Sequence, residues 1–161
     1  MLSRRFCAKT VLGIHLVAAT AAEIVALSAA LLLLRRRDAA NAKRVAQLDA
    51  VLVYPKRGYE NAIYIHDDPR VWVCESGTVL ESSPAYLAGL LVHEATHVAQ
   101  WHRGIRRHSV SVEREAYRAQ RRFLEKIGAN DEVIWLNQQF KERWWVRGKG
   151  KVSQRSSNQV S

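Results

Sequence analysis

The run His93-Glu94-Ala95-Thr96-His97 sets two imidazoles one helical turn apart with a carboxylate between them. Residues at i and i+4 of an α-helix share a face, and two imidazoles in that relation bind one Zn2+ at about 2.0–2.1 Å each. The metal lowers the pKa of a bound water to about 7, and a glutamate beside the first histidine accepts the proton that this water gives up. With 6 His in 161 residues, chance gives on the order of 0.01 such patterns, so two unconnected histidines on a metal-free helix are the weaker reading. The residues before it, Leu87 to Val92, are apolar apart from Gly89 and read as a core helix.

A hydrolytic site needs a third protein ligand and an open position. Two glutamates follow, Glu113 and Glu115, and helical periodicity separates them. Glu113 shares a face with Ala116, Tyr117, Gln120, Leu124 and Ile127, which is mostly apolar and points inward. Glu115 shares one with Arg118, Ala119, Arg122 and Lys126, which reads as solvated, with Glu115 pairing to Arg118 and Arg122. An inward carboxylate without a partner is costly, and a metal supplies the partner, so Glu113 is the expected ligand. His102 and His108 are candidate oxyanion stabilisers, although exposed histidines in an Arg-rich loop are the plainer reading. His66 ends an expected strand and has no assigned role.

The elements that must hold these groups follow from punctuation. Ser83 as N-cap and Pro84 at N1 start a helix that runs to about His102, with Gly104 beyond it. A second spans about Val110 to Ile127 and stops at Gly128. A third begins at Asn130 or Asp131 and reaches about Val146. Upstream, Ala39 to Leu52 reads as a helix. Ala62–His66, Val71–Cys74 and Thr78–Leu80 read as strands of a small antiparallel sheet, separated by Asp67-Asp68-Pro69 and Ser76-Gly77. The tail from Arg147 is almost devoid of apolar residues and is expected to be disordered.

Thr10 to Leu34 contains one formal charge, Glu23. The run is long enough for a transmembrane helix, which needs about 20 predominantly apolar residues, and too long for a typical signal peptide. The expected organisation is a basic N-terminus over 1–9, a membrane anchor over 10–34, a folded domain over 39–146 and a basic tail over 147–161. Arg4, Arg5 and Lys9 precede the anchor, and Arg35, Arg36, Arg37, Lys43 and Arg44 follow it. That bias favours a single-pass protein of the cell membrane with its C-terminal domain in the cytoplasm. Ala18, Ala22, Ala26 and Ala30 recur at a spacing that lets two such helices approach, which would make a homodimer. Glu23 would then be a buried mid-membrane carboxyl.

The net charge of +10 points to an anionic surface. No zinc-finger, ribonucleoprotein or basic–heptad pattern accompanies it, so nucleic acid is not an expected partner and an anionic membrane surface is. Trp144 and Trp145, with Arg143 and Arg147, would suit a membrane interface or pack the last helix on the core. Cys7 and Cys74 are too few and too separated in context for a disulfide framework. Cys7 beside the anchor reads as an unmodified thiol, with acylation the lesser reading.

His93-Glu94-x-x-His97 followed by Glu113-Arg114-Glu115-Ala116-Tyr117 resembles the gluzincin metallopeptidases, most of all their minimal forms, the minigluzincins. The resemblance covers about residues 60 to 127. It implies a small α+β zincin-like domain: a short antiparallel sheet, the H-E-x-x-H helix, a glutamate-bearing helix and a C-terminal helix. It implies Zn2+ held by His93, His97 and Glu113, with Glu94 as general base and a protein or peptide as substrate. Related membrane-bound gluzincins often carry Asp four residues after the ligand glutamate, as a support for the ligands, where this chain has Tyr117. The sequence alternatives are a zinc-binding domain that does not cleave and a membrane adaptor with an accidental motif.

Overall fold

The computed structural model describes residues 6–55, 68–107 and 109–142. Among them are four strands and six helices in the order β1 (Cys7–Val11), β2 (Ile14–Ala18), α1 (Ala21–Arg37), α2 (Ala39–Val45), β3 (Ala50–Tyr54), β4 (Val71–Glu75), α3 (Ser76–Glu81), α4 (Pro84–His102), α5 (Val110–Ile127) and α6 (Asn130–Glu142).

The expected membrane anchor is a hairpin and a core helix. Val11 pairs with Ile14 across a two-residue turn in which Leu12 and Gly13 both have positive φ, 53° and 83°, as a type I′ hairpin requires. Ile14, Leu16 and Ala18 then alternate inward along β2. Thr20 opens α1 with a capping box: its hydroxyl accepts from the Glu23 backbone N–H, and the Glu23 carboxylate accepts from the Thr20 backbone N–H. Glu23 is therefore the third residue of a capped helix start, and it also accepts a hydrogen bond from Ser76. Ile24, Leu27, Ser28, Leu31 and Leu34 form the buried stripe of α1, while Val25 is exposed. No helix among the described residues is long and apolar enough to cross a membrane. The single-pass anchor is not supported, and the Ala18–Ala30 repeat loses the bilayer in which it would pair two copies. Ala18 and Ala30 are instead buried in this chain's own core.

The sheet is mixed rather than antiparallel, in the order β1-β2-β3-β4. β1 and β2 pair antiparallel. β2 pairs parallel with β3, Leu16 opposite Val51, because α1 and α2 return the chain to the same end of the sheet. β3 pairs parallel with β4, Val51 opposite Trp72. The helix expected over Ala39–Leu52 ends at Val45, where turn hydrogen bonds from Gln47 and Leu48 to Arg44 and Val45 close it. The β-branched and apolar residues Val51, Leu52 and Val53 enter the sheet. Thr78–Leu80, expected as a strand, lies in α3 instead, which buries Val79 in the core. Val71–Cys74 is a strand as expected. Ala62–His66 and the tail lie outside the described residues.

The two site-bearing helices begin where their caps place them. Ser83 accepts from the Tyr86 backbone N–H with Pro84 at the start of α4, and Ser109 accepts from that of Val112 at the start of α5. Gly128 closes α5 in the left-handed region, φ 75°. The Ser83 hydroxyl also donates to Glu132 at 2.6 Å, which fastens the start of α4 to α6. α4 packs against α1, α2 and α5, with its Leu87, Leu91, Ala95 and Val98 in the shared core.

Candidate metal centre

α4 and α5 meet at a glycine. A Cβ on Gly89 would stand 3.2 Å from Gln120 Cγ and 3.3 Å from Leu124 Cδ2, so the bare backbone of Gly89 lets α5 lie close. Four residues on, His93 sits on the same side of α4, and His97 follows one turn later. The face of α5 opposite them carries Glu113, Ala116, Tyr117, Gln120 and Leu124, with Ala116, Gln120 and Leu124 fully buried. The periodicity that set Glu113 on the inward face therefore describes the packed helix.

His93, His97 and Glu113 converge. The two Nε2 atoms lie 3.1 Å apart. Glu113 reaches His97 Nε2 at 3.3 Å and His93 Nε2 at 3.4 Å. Ligand atoms held tetrahedrally at zinc distances are separated by about 3.3 Å, so the three groups already stand at the spacing of one shared cation. His93 is buried, and the Glu113 side chain is only 12% exposed.

The tautomer of His97 supports the same conclusion. Gln100 is nearly fully buried. Its amide nitrogen donates to the Val112 carbonyl at 2.9 Å and to Glu115 at 3.2 Å. Both partners are acceptors, so the amide orientation is fixed and Gln100 Oε1 faces His97 Nδ1, 2.8 Å away. An acceptor there requires the proton on Nδ1, which leaves the Nε2 lone pair of neutral His97 pointing at Glu113 and His93. A lone pair and a carboxylate together in a buried spot call for a cation. These three side chains can hold a metal ion.

Burial disfavours a charge on His93, yet the Glu113 and Glu94 carboxylates, with a smaller contribution from Gln120, hold its pKa above the ordinary histidine value. Glu94 is half-buried beside His93. Its charge is also felt by Cys74 on β4, whose thiol is pushed up to about 12 by burial first and by Glu94 and Glu23 second. Cys74 is thus an inert neighbour at neutral pH. Tyr117 meets the His93 ring edge-on, with centroids 4.8 Å apart.

Glu115 is not part of the cluster. Its ion-pair partner is Arg103, from the end of α4, at 2.7 Å, and not Arg118 or Arg122 as the helical face alone suggested. The last turn of α4 brings Arg103 across the interhelical angle, and Arg122 acts on Glu115 only at longer range. Burial opposes ionisation of Glu115, but Arg103 and Gln100 outweigh it and keep its pKa below the ordinary value. His102 is exposed and meets the Trp101 ring edge-on, centroids 5.3 Å apart, so it does not join the site. His66, His108, Trp144 and Trp145 lie outside the described residues. Sequence reasoning missed Gln100, whose place three residues after His97 was a legible signal, and gave Gln120 no function beyond its inward face. Comparison of the chain with protein-family models, curated proteins and solved structures finds no match to any of them.

Proposed function

We propose that the chain is a zinc-dependent metallopeptidase of gluzincin type, with His93, His97 and Glu113 as ligands and Glu94 as general base. The observation that carries the reading is the convergence of both Nε2 atoms and the Glu113 carboxylate at 3.1–3.4 Å. Two imidazoles and one carboxylate on a tetrahedral spacing are a donor set suited to zinc, and three protein ligands leave a fourth position open. Zinc in such a site supplies a water ionised near neutral pH and polarises a carbonyl oxygen. Glu94 neighbours His93 and projects from the same helix. It takes the proton of the attacking water and passes it to the departing amine of a peptide substrate. Glu113 would balance the cation's charge, and His93 and His97 would hold it through Nε2 as neutral imidazoles.

The test separates binding from cleavage. The purified full-length chain should bind about one zinc, and His93→Ala or His97→Ala should abolish it. Glu94→Gln should keep zinc and fold while losing about 10²–10⁴-fold in hydrolysis, read by mass spectrometry on a proteome-derived peptide library. A zinc-loaded wild type that cuts nothing Glu94→Gln spares would leave a zinc-binding domain without peptidase activity.

A further inference from the structure

Each metal-facing imidazole turns its other nitrogen to a buried glutamine. On His97 the contact is closed: Nδ1 meets Gln100 Oε1 at 2.8 Å, and Gln100 is itself held by Val112 and Glu115. On His93 it is open. His93 Nδ1 and both amide atoms of Gln120 are the buried side-chain polar atoms without a hydrogen bond among the described residues. The two groups belong together. Gln120 Cγ crosses α4 at Gly89, one turn before His93, and Tyr117, one turn before Gln120, touches the His93 ring. A fully buried amide without a well-formed hydrogen bond is costly, and His93 Nδ1–H is the donor its oxygen lacks. Gln120 also acts on the Tyr86 hydroxyl, whose pKa burial and the neighbouring Tyr117 push up and Gln120 lowers.

We propose that Gln100 and Gln120 are the positioning residues of the metal centre, each accepting the Nδ1 proton of one histidine and so fixing its Nε2 lone pair toward the metal. The assignment rests on the zinc reading of the same site. A neutral histidine has one proton to place, and only the Nδ1–H tautomer offers Nε2 as a ligand. Partners that fix ligand orientation in this way are typically worth 10–100-fold in metal affinity. Gln120 completes the matching bond to His93 when that imidazole carries its proton on Nδ1. Gln100 has already closed its own, because Val112 and Glu115 pin its amide. The two glutamines come from α4 and α5, so the packing of these helices and the tautomers of the ligands are coupled.

The experiment compares full-length Gln120→Met, Gln120→Glu and Gln100→Met with wild type. Zinc affinity is measured by competition with a chromophoric chelator, Co2+ absorption reports ligand geometry, and metal-free circular dichroism reports the fold. Methionine keeps the shape of glutamine without its acceptor, whereas glutamate keeps an acceptor at the same reach. The expected result is a loss of about 10–100-fold in zinc affinity for each Met variant, with an altered Co2+ spectrum, and recovery of most of that loss in Gln120→Glu. A packing role predicts the reverse order at position 120, because a core accepts Met and resists a buried charge. Folded Met variants that bind zinc as tightly as wild type overturn the proposal. Should Gln120→Met fail to fold, Gln100→Met decides alone. If wild type binds no more zinc than His93→Ala, the metal centre itself fails and the positioning roles fall with it, an outcome distinct from unchanged affinity in the Met variants.

Discussion

At the scale of the residue, two glutamates one turn-fraction apart have opposite surroundings. Glu113 stands 3.3–3.4 Å from both histidine Nε2 atoms. Glu115 has an Arg103 pair at 2.7 Å with both side chains about half exposed. Exposed pairs contribute little, roughly 0–1 kcal/mol. Glu113→Ala should therefore lower zinc affinity by more than about 100-fold, beyond what an outer partner carries. Glu115→Ala should change it by less than about tenfold, because Val112 still holds the Gln100 amide. Chelator competition on the two variants checks this. The reverse ranking would move the third ligand to Glu115.

At the scale of the element, the start of α1 is held by a carboxylate that the chain buries almost completely. Burial raises the pKa of Glu23, but hydrogen bonds from Ser76 and from Thr20 outweigh it, so the folded value lies below the ordinary 4.5. A group whose pKa falls on folding adds stability above its unfolded value and loses it as pH drops through the folded one. Glu23→Gln should thus destabilise the fold by about 1 kcal/mol near pH 7, the usual size of a lost cap. The difference should shrink below pH 4.5 as the wild-type carboxyl takes up its proton. Urea unfolding of both proteins at pH 7 and in acid measures this. A gap of constant size across pH would mean that shape, rather than charge, explains the effect. Asp38 behaves alike at the start of α2: burial opposes its charge, and Lys126 at 3.0 Å with Asn41 lowers its pKa.

At the scale of the molecule, the N-terminal hairpin and α1 are structural parts of the body that holds the site. Ile14, Leu16, Leu27, Leu31 and Leu34 are fully buried in the same core as Leu87, Leu91 and Val98 of α4. Burying a leucine or isoleucine side chain stabilises by roughly 1.5–3 kcal/mol, and whole domains are stable by only about 5–15 kcal/mol. A chain starting at residue 39 should accordingly lose cooperative unfolding and zinc binding together, while the full chain keeps both. Thermal unfolding followed by circular dichroism tests this. A truncated chain that unfolds cooperatively and holds one zinc would show the hairpin and α1 to be dispensable.

Local signals along the chain were enough to place the site helices and the inward-facing carboxylate. Ser83-Pro84, the 3.6-residue periodicity and Gly128 are local signals, and His93, His97 and Glu113 are placed by local helical geometry plus one packing contact. Hydropathy by itself misled over residues 10–34, because an apolar run is compatible with a bilayer and with a buried hairpin and helix alike. Two local signals were nevertheless present, the Gly13 turn and the Thr20-x-x-Glu23 capping box, and a helix that starts with a capping box at Thr20 cannot fill that span. Tertiary structure alone decided the rest. Thr78 and Val79 became helical because Val79 fills the core and Ser76 meets Glu23. The sheet became mixed because α1 and α2 return the chain to the end from which β2 began. Glu115 chose Arg103 because that partner comes from the neighbouring helix, whereas Gln100 reaches His97 from three residues along the same helix. Periodicity gives the face on which a side chain lies, but not what the neighbouring helix brings opposite it.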